Sequence, residues 1–270
     1  GDRTSDDFKA LEVYLKRVWF SSGIYHHYGC EKFKPGFSEH FFYEAVSMMP
    51  ETELPLKRGE TKEDLLDELV PVIFDEEILP KRVNQTDGVD LVATSACNFY
   101  ENVTQNEVER FYAKLKDGED LTPPSYGLNS KLMKRNGEIV EMIWKEDGMY
   151  GTAIKEITSW LLKAQKYAEN EQQAHVIDLL IKYYRTGDLS DFDRYSIAWV
   201  KQQEGMVDFI NGFIEVYGDP LGLKGTWEGL VEFKDMKATR RTQAISQNAQ
   251  WFEDHSPVAP QFKKAEVKGV

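Results

Sequence analysis

Two cysteines, Cys30 and Cys97, stand in a chain of 270 residues. That is too few for a disulfide framework, and neither belongs to a paired Cys motif of the kind that holds a structural metal. No stretch reaches the roughly 18 consecutive apolar residues that a membrane span needs, and no signal-peptide pattern opens the chain. Positive charge is short as well. Against 46 Asp and Glu there are 33 Lys and Arg, a formal net charge of −13. Phosphate-rich partners require a concentrated basic face, so nucleic acid and anionic membrane are not the expected partners, whereas a cationic peptide suits the balance. Catalytic signatures with fixed local spacing are missing too. None of the five histidines sits in H-E-x-x-H or H-E-x-x-x-H, and there is no Walker loop, Rossmann glycine loop or G-x-S-x-G elbow.

What is present describes a folded protein. An apolar fraction of 41% and an aromatic fraction of 13% are globular values, and the length suits one large domain or two smaller ones. Gly1 reads as an expression scar ahead of an abrupt amphipathic start, so the compartment stays open between cytoplasm and periplasm. The sequons at Asn84 and Asn102 are short enough to arise by chance.

The periodicity reads as α+β, mostly helical with a small antiparallel β-barrel or sheet. Ser5 precedes a helix with Leu11, Tyr14, Leu15, Val18 and Trp19 on one face. Helices are expected from Ser38 to Met48 and from Thr61 to Leu69, the latter stopped near Pro71. Thr104 and Glu107 form a capping-box signature for the next one. Asn136-Gly137 between two short alternating runs predicts a type I′ hairpin. Helical patterns follow over 152–168, 171–186 and 190–202. Two strand-like runs, 206–217 and 225–233, bracket a turn at Asp219-Pro220-Leu221-Gly222. A last helix is expected over 235–252, with Ala238, Ile245 and Phe252 among its packing residues. Both hairpins are expected in one small sheet or barrel. A division into a mainly helical segment, 1–125, and a second lobe of helices and barrel, 126–270, is placed after Pro123-Pro124.

Several residue groups carry chemistry. In Ile24–Phe33, read IYHHYGCEKF, the side chains of His26, His27, Cys30 and Glu31 all have metal-ligand character. Adjacent histidines diverge and no second ligand pair stands at zinc spacing, so an ordered hydrogen-bonded loop, or a loop lining a cleft of a larger enzyme, competes with a metal site. Trp144, Tyr150 and Trp160 read as core rather than as a sugar platform. Asp208, Glu215 and Asp219 lie among Val207, Phe209, Ile210, Phe213, Ile214 and Val216, where an acid is costly unless it is paired or has a task.

The run Val207 to Gly229, VDFINGFIEVYGDPLGLKGTWEG, resembles the dipeptidyl peptidase III motif V-[DE]-x-x-x-G-F-[IT]-E-x-Y-x-D-P-x-G. Gly23 to Ser38, GIYHHYGCEKFKPGFS, is similar to the corresponding segment of bacterial members. The resemblance implies a zinc metallopeptidase that removes dipeptides from the amino termini of short peptides at a cleft between two lobes. Its zinc motif, H-E-x-x-G-H, is absent from these residues. The chain is therefore expected to be an internal fragment, inactive alone, with zinc ligands and all catalytic residues outside it and with the missing zinc-binding lobe as a partner.

What the resemblance implies here is substrate binding. Asp208 takes the place of the acid that holds the peptide amino terminus, Ile210 that of a Tyr that assists the reaction, and Asn211 and Glu215 are further cleft residues. An exposed sheet edge would accept the peptide as an added strand. No metal ligand is expected within the chain. A non-enzymatic peptide-binding helical module and a carbohydrate-binding protein are the alternative readings.

Overall fold

The computed structural model describes residues 3–267; Gly1 and Val270, on which the expectations about the chain ends rest, lie outside them. Helix α1 (Asp6–Ser21) begins where the Ser5 hydroxyl accepts from the Phe8 N–H. Helix α2 (Glu39–Met48) is capped in the same way by Ser38. A full capping box between Thr61 and Asp64 opens α3 (Lys62–Phe74), which satisfies two of the four N–H groups that a helix start leaves unpaired. This helix does not stop at Pro71 as expected but runs through it. Val70 is buried and Phe74 packs on the cluster of Val46, Leu66 and Val70, and that burial outweighs the one backbone bond a proline removes.

Strand β1 (Tyr100–Glu101) pairs in parallel with β2 (Ser130–Arg135), which pairs antiparallel with β3 (Glu138–Ile143). Between the first two strands lies α4 (Gln105–Ala113), started by the expected Thr104–Glu107 box. Asn136 and Gly137 turn β2 into β3 with φ of 51° and 85°, the left-handed pair that a type I′ turn requires. Helices α5 (Gly151–Ala164), α6 (Glu171–Thr186) and α7 (Leu189–Lys201) follow; the last turn expected on α5 is a 3-10 turn over Gln165–Tyr167. Antiparallel strands β4 (Val207–Glu215) and β5 (Thr226–Phe233) complete the ordered pattern.

The expected α+β class holds, but the two hairpins do not share a sheet and no closed barrel forms among the described residues. An aromatic core separates them. Val176, Leu180, Tyr183 and Tyr184 of α6 pack with Ile154, Tyr195 and Ala198, and this layer receives Trp144 from one hairpin side and Phe213 from the other. The two rings lie 4.7 Å apart. The Gly225 N–H donates to the Leu128 carbonyl at 2.7 Å and ties the hairpins by their ends. The single helix expected over 235–252 is broken into α8 (Met236–Ser246) and α9 (Ala249–His255), neither with a buried residue. Ile245 and Phe252 stay exposed, so no packing force holds the two pieces in line. Among the described residues no helix is long and apolar enough to cross a membrane.

Candidate functional site

Strand β4 is held along its whole length, and its two edges differ. The Met206 carbonyl accepts from the Lys234 N–H at 2.9 Å, and the even-numbered β4 residues continue that ladder to β5. Odd-numbered residues turn their backbone outward, where helices rather than a strand meet them. Gln173 Nε2 donates to the Val207 carbonyl and Trp199 Nε1 to the Phe209 carbonyl, both at 2.9 Å, while Glu169 Oε2 accepts from the Val207 N–H at 3.2 Å. The outer edge of β4 is thus closed by side chains at Val207 and Phe209. The outer edge of β5 has no strand partner among the described residues, and its Leu230, Val231 and Phe233 are exposed.

The four residues singled out from the motif separate into different environments. Asp208 Oδ1 accepts from Trp199 Nε1 at 3.2 Å and from the Phe209 N–H at 2.8 Å, so this carboxylate is engaged locally. Ile210 is half-buried opposite Leu230. Asn211, three residues along from Asp208 and hence on the other face, enters the core. Its Oδ1 accepts from the Tyr184 hydroxyl at 2.5 Å, and that hydroxyl accepts from Trp227 Nε1 at 2.9 Å. Burial drives the Tyr184 pKa up, which keeps it a donor. Asp208 and Asn211 are therefore not brought together. Glu215 is exposed at the strand end, past a bulge that follows Phe213, and its carboxylate has no partner among the described residues.

Two residues on, Tyr217 faces the loop of residues 24–33. Its ring meets that of His27 edge-on at 6.2 Å, and both line a cavity of about 790 Å³. The loop is a small hairpin: the His26 N–H donates to the Glu31 carbonyl and the Phe33 N–H to that of Ile24, both at 2.8 Å. His26 Nδ1 accepts from the Gly29 N–H at 2.9 Å, and Cys30 Sγ lies 3.7 Å from the Tyr28 carbonyl. Those bonds order the loop instead of converging its donors. Among the described residues no group of three or more His, Cys, Asp or Glu is arranged to hold a metal ion.

A network that the sequence did not disclose holds the turn after β4. Asp219 is buried, and its Oδ2 accepts from the Leu223 and Lys224 N–H groups and from the Tyr100 hydroxyl, each at 2.8 Å. Lys224 is wholly buried. Its ammonium donates to the Tyr112 hydroxyl and, at 3.0 Å, to Ser130 Oγ, and lies 3.9 Å from Glu141 Oε1. Tyr112 and Ser130 in turn donate to Glu141 at 2.7 and 2.6 Å. Burial lowers the Lys224 pKa to about 8, against the opposing pull of Glu141 and Asp219. Nothing in the sequence marks Glu141 as the partner of Lys224.

The helices of this α+β unit present a two-stranded ribbon with an unpaired carboxylate at its end. The family model of Peptidase family M49 matches residues 124–269, and the chain belongs to that family. It is 23% identical to dipeptidyl peptidase 3 of Dictyostelium discoideum over 282 aligned positions, which cover 97% of this chain and 38% of that protein. Dipeptidyl peptidase 3 of Homo sapiens is 27% identical over 117 residues, 43% of this chain and 16% of the human protein. The solved DPP III of Caldithrix abyssi shares the fold at a TM-score of 0.51 and 16% identity, covering 94% of this chain and 42% of that one. The chain thus spans well under half the length of these relatives.

Proposed function

We propose that the full-length protein is a dipeptidyl peptidase that releases dipeptides from the amino termini of short peptides, and that this chain is its peptide-binding portion, inactive alone. The names of the relatives support the reaction, and the family membership supports a peptidase. Zinc is the proposed cofactor of the whole enzyme, with ligands outside this chain, a reading supported by the motif resemblance of residues 207–229. The match beginning at residue 124 supports a boundary near residue 125.

The observation that carries the binding role is the unpaired Glu215. A free α-amino group brings three N–H donors and a positive charge, and it needs a carboxylate whose lone pairs are available. Glu215 meets that need two residues before Tyr217, which lines the cavity. Asp208 is the second acid of the proposal, but two donors already occupy one of its oxygens. The open β5 edge is where a peptide backbone would add as a strand, with Ile210 and Asn211 one strand further in on β4. Dipeptide release from an Arg-Arg arylamide by the full-length parent tests this. Glu215→Gln is expected to lower kcat/KM about 100-fold, the order of a lost charge-assisted bond, and Asp208→Asn far less. The reverse ranking would move the amino terminus to Asp208, and unchanged kcat/KM in both variants would sink the binding role.

A further inference from the structure

The cavity beside Tyr217 carries a charge opposite to that of the chain. Lys81 and Arg82 both line it, together with His27, Cys30 and Tyr217, and no carboxylate is among the lining residues. In a protein of net charge −13 this is an unusual concentration of unpaired cation. Neither Lys81 nor Arg82 has an acid within ion-pair distance among the described residues. Arg82 is fixed in place: its N–H donates to the Cys30 carbonyl at 2.8 Å and its Nη2 to the His27 carbonyl at 2.9 Å. Its Nε is buried and has no hydrogen-bond partner. The adjacent acid, Glu31, is folded against Gly29 and lines the neighbouring cavity with His26. That nitrogen is closed off from the cavity, and what the cavity offers a ligand is the positive charge of Arg82 and Lys81, which a carboxylate complements.

We propose that this cavity is a carboxylate-binding subsite, in which Arg82 and Lys81 hold an acidic group near the amino terminus of the bound peptide. The inference rests on the peptide-binding reading above. Two residues of chain span at most about 7 Å, so Tyr217 lies within that reach of Glu215. A carboxylate seated there belongs to one of the first residues of the peptide or to the C-terminus of a very short one. The global negative charge draws cationic peptides at long range, whereas this subsite would favour an acid locally.

The test is calorimetric titration of this chain with Glu-Ala-Ala-Ala-amide, Gln-Ala-Ala-Ala-amide, free Ala-Ala-Ala, Ala-Ala-Ala-amide and the N-acetylated form of the first. The Glu peptide is expected to bind about tenfold more tightly than the Gln peptide, as one charge-assisted contact allows. That advantage should disappear in Lys81→Gln and Arg82→Gln and shrink at high salt. Lys81→Gln guards against misfolding of the Arg82 variant, because the Lys81 side chain has no bond among the described residues. A lysine-dependent gain for Ala-Ala-Ala over its amide would assign the subsite to a terminal carboxylate, which also supports it. Equal binding of the Glu and Gln peptides, with affinity still dependent on Glu215, would overturn the subsite and leave the peptide reading intact. Equal binding of the acetylated peptide would overturn the amino-terminus reading instead, and no binding of any peptide would overturn both.

Discussion

Lys224→Met should abolish a rise in stability between pH 7.5 and 9.5. Burial of Lys224 with only hydroxyls at bonding distance lowers its pKa from 10.5 to about 8. The native state then releases this proton at lower pH than the unfolded chain does, so between the two values the unfolded state binds more protons and stability increases with pH. Below about pH 8 both states are protonated and the native state bears the full cost of a buried charge. Each pKa unit is worth about 1.36 kcal/mol, so from pH 7.5 to 9.5 the gain from this one group is about 2 kcal/mol. Cys97 works in the other direction, because burial raises its pKa to about 11 and unfolding is favoured once the exposed thiol ionises. Comparing wild type with Lys224→Met cancels that contribution. Urea denaturation across this pH range should show the wild type gaining about 2 kcal/mol relative to the variant. Parallel pH profiles would refute the claim that Lys224 is charged and buried in the native state at neutral pH.

Two further substitutions examine the supports of the ribbon. Tyr184→Phe strips a donor from Asn211 and an acceptor from Trp227 while keeping the buried ring, and should cost about 1–3 kcal/mol by urea unfolding. A loss under 0.5 kcal/mol, the scale of an ordinary surface change, would mean that the pair is hydrated instead. Gly225→Ala would place a Cβ 2.9 Å from the Phe213 carbonyl carbon and 3.0 Å from the Ile214 nitrogen, backbone atoms that cannot swing aside. It should cost about 1–3 kcal/mol or more, beyond Gly222→Ala, whose Cβ meets open space and whose φ of 64° is the only strain. Equal destabilisation of the two would contradict the close approach at Gly225.

Local features of this protein were legible residue by residue. Ser5, Ser38, Thr61 and Thr104 announced helix starts because a side-chain oxygen must meet N–H groups that a new helix leaves unpaired, and all four do so. Asn136-Gly137 announced its hairpin because few other pairs tolerate positive φ at both places. The motif from Val207 to Gly229 pointed to the family now matched over residues 124–269, and its strand–turn–strand pattern to β4 and β5.

Pairings between distant residues were not legible, because period and propensity describe only neighbours along the chain. Placing the two hairpins in separate sheets depended on an aromatic core assembled from α6, Trp144 and Phe213. Tertiary packing carried α3 through Pro71, since burial of Val70 and Phe74 exceeds a local preference to stop. It also sorted the motif acids, engaging Asp208 with Trp199 and leaving Glu215 unpaired. Lys81 and Arg82 meet Tyr217 across one cavity although more than a hundred residues of chain separate them. Sequence alone determined the capped helix starts, the two hairpins and the family the chain belongs to. Only the tertiary structure decided which charges are compensated, because the energy of a charge depends on what the fold places within a few ångströms of it.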